Sequence, residues 1–126
     1  MPPERIGPYE IIKPIGQGGM GEVLLGRDDR LDRLAAIKVL PAKPDDNQQH
    51  RQRFLEEARS ASAITHPNVC VIYDIGETDE GQPFIAMEYI EGNTLDELNS
   101  TGPLTTELTT EFTIQIADAL QVAHEA

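Results

Sequence analysis

The sequence predicts an α+β domain in which a block of antiparallel strands comes first and helices follow. Three observations predict it. Alternating apolar runs flank a cluster of glycines, the period then changes to helical in "KPDDNQQHRQRFLEEARSASAITHPN", and it is helical again from Thr105 onward. "YEIIKPIG" (9–16) and "GEVLLGRD" (21–28) are the two strands around the glycines. "LAAIKVLP" (34–41) is a third, stopped by a proline that cannot continue a ladder, with "DDRLDR" as the charged turn before it.

In the next segment Phe54, Ala58, Ala61 and Thr65 recur at helical spacing among Arg, Gln and Glu, and His66-Pro67-Asn68 ends the run. "VCVIYDIGE" and "PFIAMEYIE" then read as two further strands joined by the turn "TDEGQ". The block of five strands and one helix closes near Glu91-Gly92-Asn93. Thr94 and Glu97 stand at capping-box spacing and open a short helix that "TGP" breaks. In the last helix Leu108, Phe112, Ile116, Leu120 and Ala123 share one face. The expected division is an extension (1–8), a strand-rich body (9–92) and a helical part (93–126).

The apolar fraction of 39% places the chain among globular domains. No apolar run reaches the roughly 20 residues that span a bilayer, and "MPPERIGPYE" has no apolar core of a signal peptide. The expectation is a cytoplasmic protein without a membrane segment. Cys70, the single cysteine, lies in an apolar run and reads as a small buried hydrophobe. The net charge of −12 is uneven, because Arg59 is the last cation and every later charged side chain is acidic. Such a surface cannot track phosphates along a polymer, so nucleic-acid binding is disfavoured. His50, His66 and His124 lack ligand spacing, and no metal site is expected from them.

Gly16-x-Gly18-x-x-Gly21 admits three phosphate-binding readings. A P-loop needs Lys and then Ser or Thr after the last glycine, and Glu22-Val23 stand there instead. A dinucleotide fingerprint needs a helix at the third glycine, where "EVLLGRD" is strand-like. A glycine-rich turn lying over a nucleotide's phosphates fits, with a plain hairpin turn as its competitor. Lys38, inside the apolar strand "AAIKVL", needs a partner for its charge. Glu57 on the following helix is placed to turn toward the sheet, whereas Glu56 points to solvent; surface roles for both Lys38 and Glu57 stay open on spacing alone.

Taken together, "IGQGGMGEV", "AAIKVL", "RFLEEARSASAITHPNV", "FIAMEYIEGNTLDEL" and "LTTELTTEFTIQIADALQVAHEA" resemble the eukaryotic-type Ser/Thr protein kinases of bacteria, in order and at family spacing. The resemblance implies a kinase-like N-lobe, a five-stranded antiparallel sheet with helix C, followed by helices D and E of an incomplete C-lobe. It implies ATP as the bound nucleotide. The loop Gly16, Gln17, Gly18, Gly19, Met20 and Gly21 would cover its phosphates, and Lys38 would hold the α- and β-phosphates, oriented by an ion pair with Glu57. Ile15, Val23 and Ala36 would form the adenine slot, with Met87 at its back. The carbonyl of Glu88 and the amide of Ile90 would meet the adenine edge.

The resemblance also implies parts that these residues do not contain. No HRD or DFG tripeptide occurs in the sequence, so the catalytic Asp and the magnesium ligands would belong to the missing part of the C-lobe. The expectation is a chain that binds ATP without turnover, its protein substrate being a property of the complete enzyme. The stripe on the last helix would be exposed and open to association. The alternative is a non-catalytic nucleotide-binding or docking module acting on a full-length kinase.

Overall fold

A computed structural model describes residues 4–18, 21–40 and 48–125. The alternating runs become strands and the helical periods become helices: β1 (Arg5–Ile6), β2 (Tyr9–Gly18), β3 (Gly21–Asp28), β4 (Arg33–Val39), α1 (Gln48–Ser62), β5 (Ile72–Glu77), β6 (Pro83–Glu88), α2 (Leu95–Ser100) and α3 (Thr106–Glu125). The chain divides into two units, residues 1–63 with 70–89 and residues 64–69 with 90–126.

The first unit carries an antiparallel sheet in the order β1-β2-β3-β4-β6-β5. Six strands rather than five are present among the described residues. The sixth comes from the segment read as an extension: Gly7, at φ 55, turns the chain so that Arg5 pairs with Glu10 and Ile6 with Tyr9. Two residues with one apolar side chain carry no readable alternation, which is why spacing did not reveal it. The sheet is strongly curled. Tyr9 of β2 meets Phe84 of β6 edge to face, ring centroids 6.3 Å apart, although β3 and β4 lie between those strands.

Alternation assigns the two faces of the sheet. Ala35, Ile37 and Val39 of β4 bury against Ile6, Tyr9, Leu24, Phe84 and Ala86 inside the curl. The other face takes α1, whose Phe54 and Ala58 pack on Ile85, with Leu40, Leu55, Ile72, Ile75 and Met87 around them. Helix α1 ends at Ser62 rather than running to the His66-Pro67-Asn68 stop, so Thr65 lies outside it and is exposed. The Ser62 hydroxyl donates to the Arg59 carbonyl at 2.8 Å, a local bond that competes with a further helical turn. Strand β5 begins at Ile72, later than the apolar run suggested, and its register slips between Ile72 and Asp74.

The hairpin between β3 and β4 is locked by a buried carboxylate. Asp28, 1% exposed, accepts from the Arg30 amide at 2.9 Å and from the Arg30 guanidinium at 3.3 Å on both oxygens. Asp32 closes the same turn in the left-handed region, at φ 49. The side-chain hydrogen bond from Arg30 holds the Asp28 carboxyl below the usual carboxylate range. A depressed acid stabilises the folded state above its unfolded value of about 3.9, and that contribution is lost as pH falls through the folded value. Asp28→Asn therefore lowers the thermal midpoint at pH 7, and the native and variant midpoints converge as the pH falls below about 4. Thermal unfolding of both proteins between pH 7 and pH 3 checks this; a constant gap across that range contradicts it.

In the second unit Thr94 caps α2 with the full capping box: the Glu97 amide donates to Thr94 Oγ1 at 3.0 Å, and the Thr94 amide to Glu97 Oε1 at 3.4 Å. Thr105 opens α3 by accepting from the Leu108 amide at 3.1 Å. Residues 64–69 dock on α3 by polar contacts. The Asn68 amide donates to His66 Nδ1 at 3.0 Å, which turns Nε2 toward the Asp118 carboxylate at 3.1 Å. Asn68 Nδ2 reaches the Gln115 carbonyl at 3.3 Å. Of the apolar stripe, Leu108, Ile116 and Leu120 are exposed and Phe112 and Ala123 half-buried, while Ala119 is the buried position. Among the described residues no helix is long and apolar enough to cross a membrane.

Candidate functional site

Backbone register brings most of the predicted site residues together on the first unit. Gly16 pairs with Val23, Gln17 with Glu22 and Gly18 with Gly21, so the glycine-rich segment is the end of the β2–β3 hairpin. Gly19 and Met20 lie outside the described residues. Gly21 has φ 122, which excludes a side chain on conformational grounds. Gly16 differs: a Cβ there would sit 3.7 Å from the Val23 Cβ, an ordinary contact. Val23, its cross-strand neighbour, therefore places no demand for glycine at Gly16. Ile15 is set out of register between Pro14 and Gly16 and is 39% exposed beside that hairpin.

Next to the hairpin, one face of the sheet collects the remaining residues. Val23 pairs with Lys38, Leu25 with Ala36, Ala36 with Met87 and Lys38 with Ile85. Opposed side chains on one face stand about 4.5–5.5 Å apart, so Val23, Ala36, Lys38 and Met87 form one contiguous patch. It is apolar except for Lys38, which is half-buried. Among the described residues no carboxylate lies within 4.0 Å of Lys38.

Glu57 does not pair with Lys38 in this structure. Its side chain is exposed on the flank of α1, because Phe54 and Ala58 take the positions facing the sheet. The helical period identified the correct face of α1 but not its rotation, which depends on contacts remote in the chain, among them Phe54 against Ile85.

Glu88 ends β6 and is tied to the segment before β5. Its amide donates to the Val71 carbonyl at 2.8 Å, its Oε1 accepts from the Val71 amide at 3.2 Å, and its carbonyl accepts from the Cys70 thiol at 3.4 Å. Cys70 is thus half-buried with a polar partner, rather than a buried hydrophobe. Burial, and then the Glu88 carboxylate, push its thiol up. Nothing in the sequence signalled this link, since the two residues meet only through the pairing of β5 with β6. Ile90 belongs to the second unit and is 64% exposed. Among the described residues no group of three His, Cys, Asp or Glu side chains could hold a metal ion.

The protein kinase domain model matches residues 9–126. The chain belongs to the protein kinase family. It is 42% identical to the serine/threonine-protein kinase PrkC of Bacillus subtilis over 120 residues, covering 94% of this chain and 18% of that protein. It is 38% identical to the serine/threonine-protein kinase PknB of Mycobacterium leprae, covering 98% of this chain and 21% of that one. Among solved structures, the Mycobacterium tuberculosis PknI kinase domain superposes with a TM-score of 0.79 at 29% identity, over 96% of this chain and 50% of that one. The chain thus spans about a fifth of the length of these curated relatives and half of a solved kinase domain. The sheet with α1 is kinase N-lobe, and α2 with α3 is part of a C-lobe.

Proposed function

We propose that the patch formed by Val23, Ala36, Lys38 and Met87, with the glycine hairpin beside it, binds ATP, and that this chain is the nucleotide-binding part of a serine/threonine protein kinase. One observation carries the reading. Lys38 is a half-buried cation within an apolar patch and has no carboxylate within 4.0 Å among the described residues. A cation placed so is costly unless an anion meets it, and a triphosphate above an apolar slot for a flat heterocycle supplies both partners. Glycine at position 16, which Val23 does not require, leaves the hairpin free to approach phosphate oxygens closely.

The residues here grip the nucleotide; the ligands for magnesium and the catalytic Asp that the family's chemistry requires belong to the rest of a kinase domain. The exposed apolar face of α3 fits this reading, as a surface on which that remainder would pack. Protein substrates are a property of the complete enzyme. The test is displacement of a fluorescent ATP analogue from the 126-residue chain. ATP and ADP should both displace it better than AMP, because AMP lacks the β-phosphate that Lys38 would hold. Labelled γ-phosphate should stay on ATP when a general protein substrate is added. Equal displacement by AMP and ATP, or no saturable binding, would refute the nucleotide assignment.

A further inference from the structure

We infer that Arg51 is a positioning residue that holds α1 in the rotation at which Glu57 cannot reach Lys38. The inference rests on the reading of Lys38 as the phosphate-binding cation. Arg51 lies in α1, and its Nη2 donates to the Gly81 carbonyl at 2.8 Å and to Glu77 Oε1 at 3.1 Å. These two acceptors belong to the β5–β6 hairpin, so through them the side chain clamps the helix to that end of the sheet. Its own exposure of 32% takes it out of the class of fully solvated surface pairs.

The geometry of a helix makes this clamp oppose the Lys38–Glu57 contact. At about 100° per residue, Arg51 and Glu57 are separated by about 240° around α1. The stripe that meets the sheet, Phe54 and Ala58 with Ala61 at its margin, lies in the remaining arc between them. Arg51 therefore occupies one flank of the stripe with Leu55, and Glu57 the other, next to Ala61. Rotation that carries Glu57 inward, toward the face where Lys38 stands, carries Arg51 and Leu55 outward. The two contacts exclude one another as the helix turns. With Arg51 engaged, the structure has the outcome this predicts: Glu57 exposed and Lys38 without a carboxylate within 4.0 Å among the described residues.

The test separates the clamp from the nucleotide reading by using a ligand-free measurement first. In the 126-residue chain, a double-mutant cycle of Lys38→Met and Glu57→Gln is read by urea unfolding, with Arg51 native and with Arg51→Ala. The expected coupling is within twofold in the unfolding constant when Arg51 is native, and about fivefold with Arg51→Ala. Glu77→Gln, which weakens the same clamp from the hairpin side, should give coupling in between. Arg51→Lys, which can still donate to Gly81, should behave as native. In the second arm Arg51→Ala raises ATP affinity about fivefold, and the gain disappears when Glu57→Gln is added. Coupling that appears without any ATP binding leaves the clamp standing and removes the nucleotide reading. ATP binding with no change of coupling in Arg51→Ala, or a gain in affinity that survives Glu57→Gln, overturns the clamp.

Discussion

Lys38→Met is expected to lower the affinity of the chain for ATP by tenfold to a hundredfold, while Lys13→Met should leave it within about twofold. The difference follows from place, not charge. Lys13 is exposed on β2, where a cation is fully hydrated and contributes little to an approaching anion. Lys38 is half-buried between Val23 and Ile85 in register, so its stem is held on the patch that would take the nucleotide. A hydrogen bond from its ammonium to a phosphate oxygen contributes about 1.5–3 kcal/mol, which corresponds to roughly tenfold to a hundredfold in binding. Methionine keeps the stem and removes only the charge, so the apolar patch survives. AMP binding serves as the internal control, since it should fall much less than ATP binding. Titration of both variants with the fluorescent analogue measures the ratio, and equal losses for Lys13 and Lys38 would refute the assignment of Lys38.

Most of the fold was legible in the sequence because the strands carry a clean period of two. "GEVLLGRD" became β3 without change of boundary, and Val23, Ala36, Lys38 and Met87 fell on one face because alternation fixes which side chains share a side. The capping box at Thr94 was equally readable, since its chemistry is local. What stayed hidden depends on contacts remote in sequence. Strand β1 has too few residues to show a period. The meeting of Cys70 with Glu88 needs the register of two strands that the sequence does not specify. The rotation of α1 is set by Phe54 against Ile85 and by Arg51 against the β5–β6 hairpin, and neither partner is adjacent in the chain. Glu57 on its flank is the consequence: a residue type and spacing can nominate an ion pair, but packing of the whole helix decides whether it forms.

The largest effect on stability is expected at Phe84, because the curl of the sheet closes on that one ring. Phe84→Ala is expected to cost about 3–5 kcal/mol, a large share of the roughly 5–15 kcal/mol that a domain has in total. The ring is 3% exposed and meets Tyr9 edge to face across two intervening strands. Two glycines are shaped to it. A Cβ on Gly76 would stand 2.8 Å from the ring and one on Gly7 would stand 3.5 Å from it. Neither neighbour has a side chain that could swing in to fill the space left by alanine, so a cavity remains and its cost adds to the lost burial. Tyr9 loses its ring partner as well, and with it the contact that holds β1 and β2 over β6. Ile12→Ala, at a position 49% exposed on the same sheet, should change stability by less than about 0.5 kcal/mol. Urea unfolding of the two variants beside the native chain decides the point. If Phe84→Ala costs no more than Ile12→Ala, the sheet is not held closed by this ring.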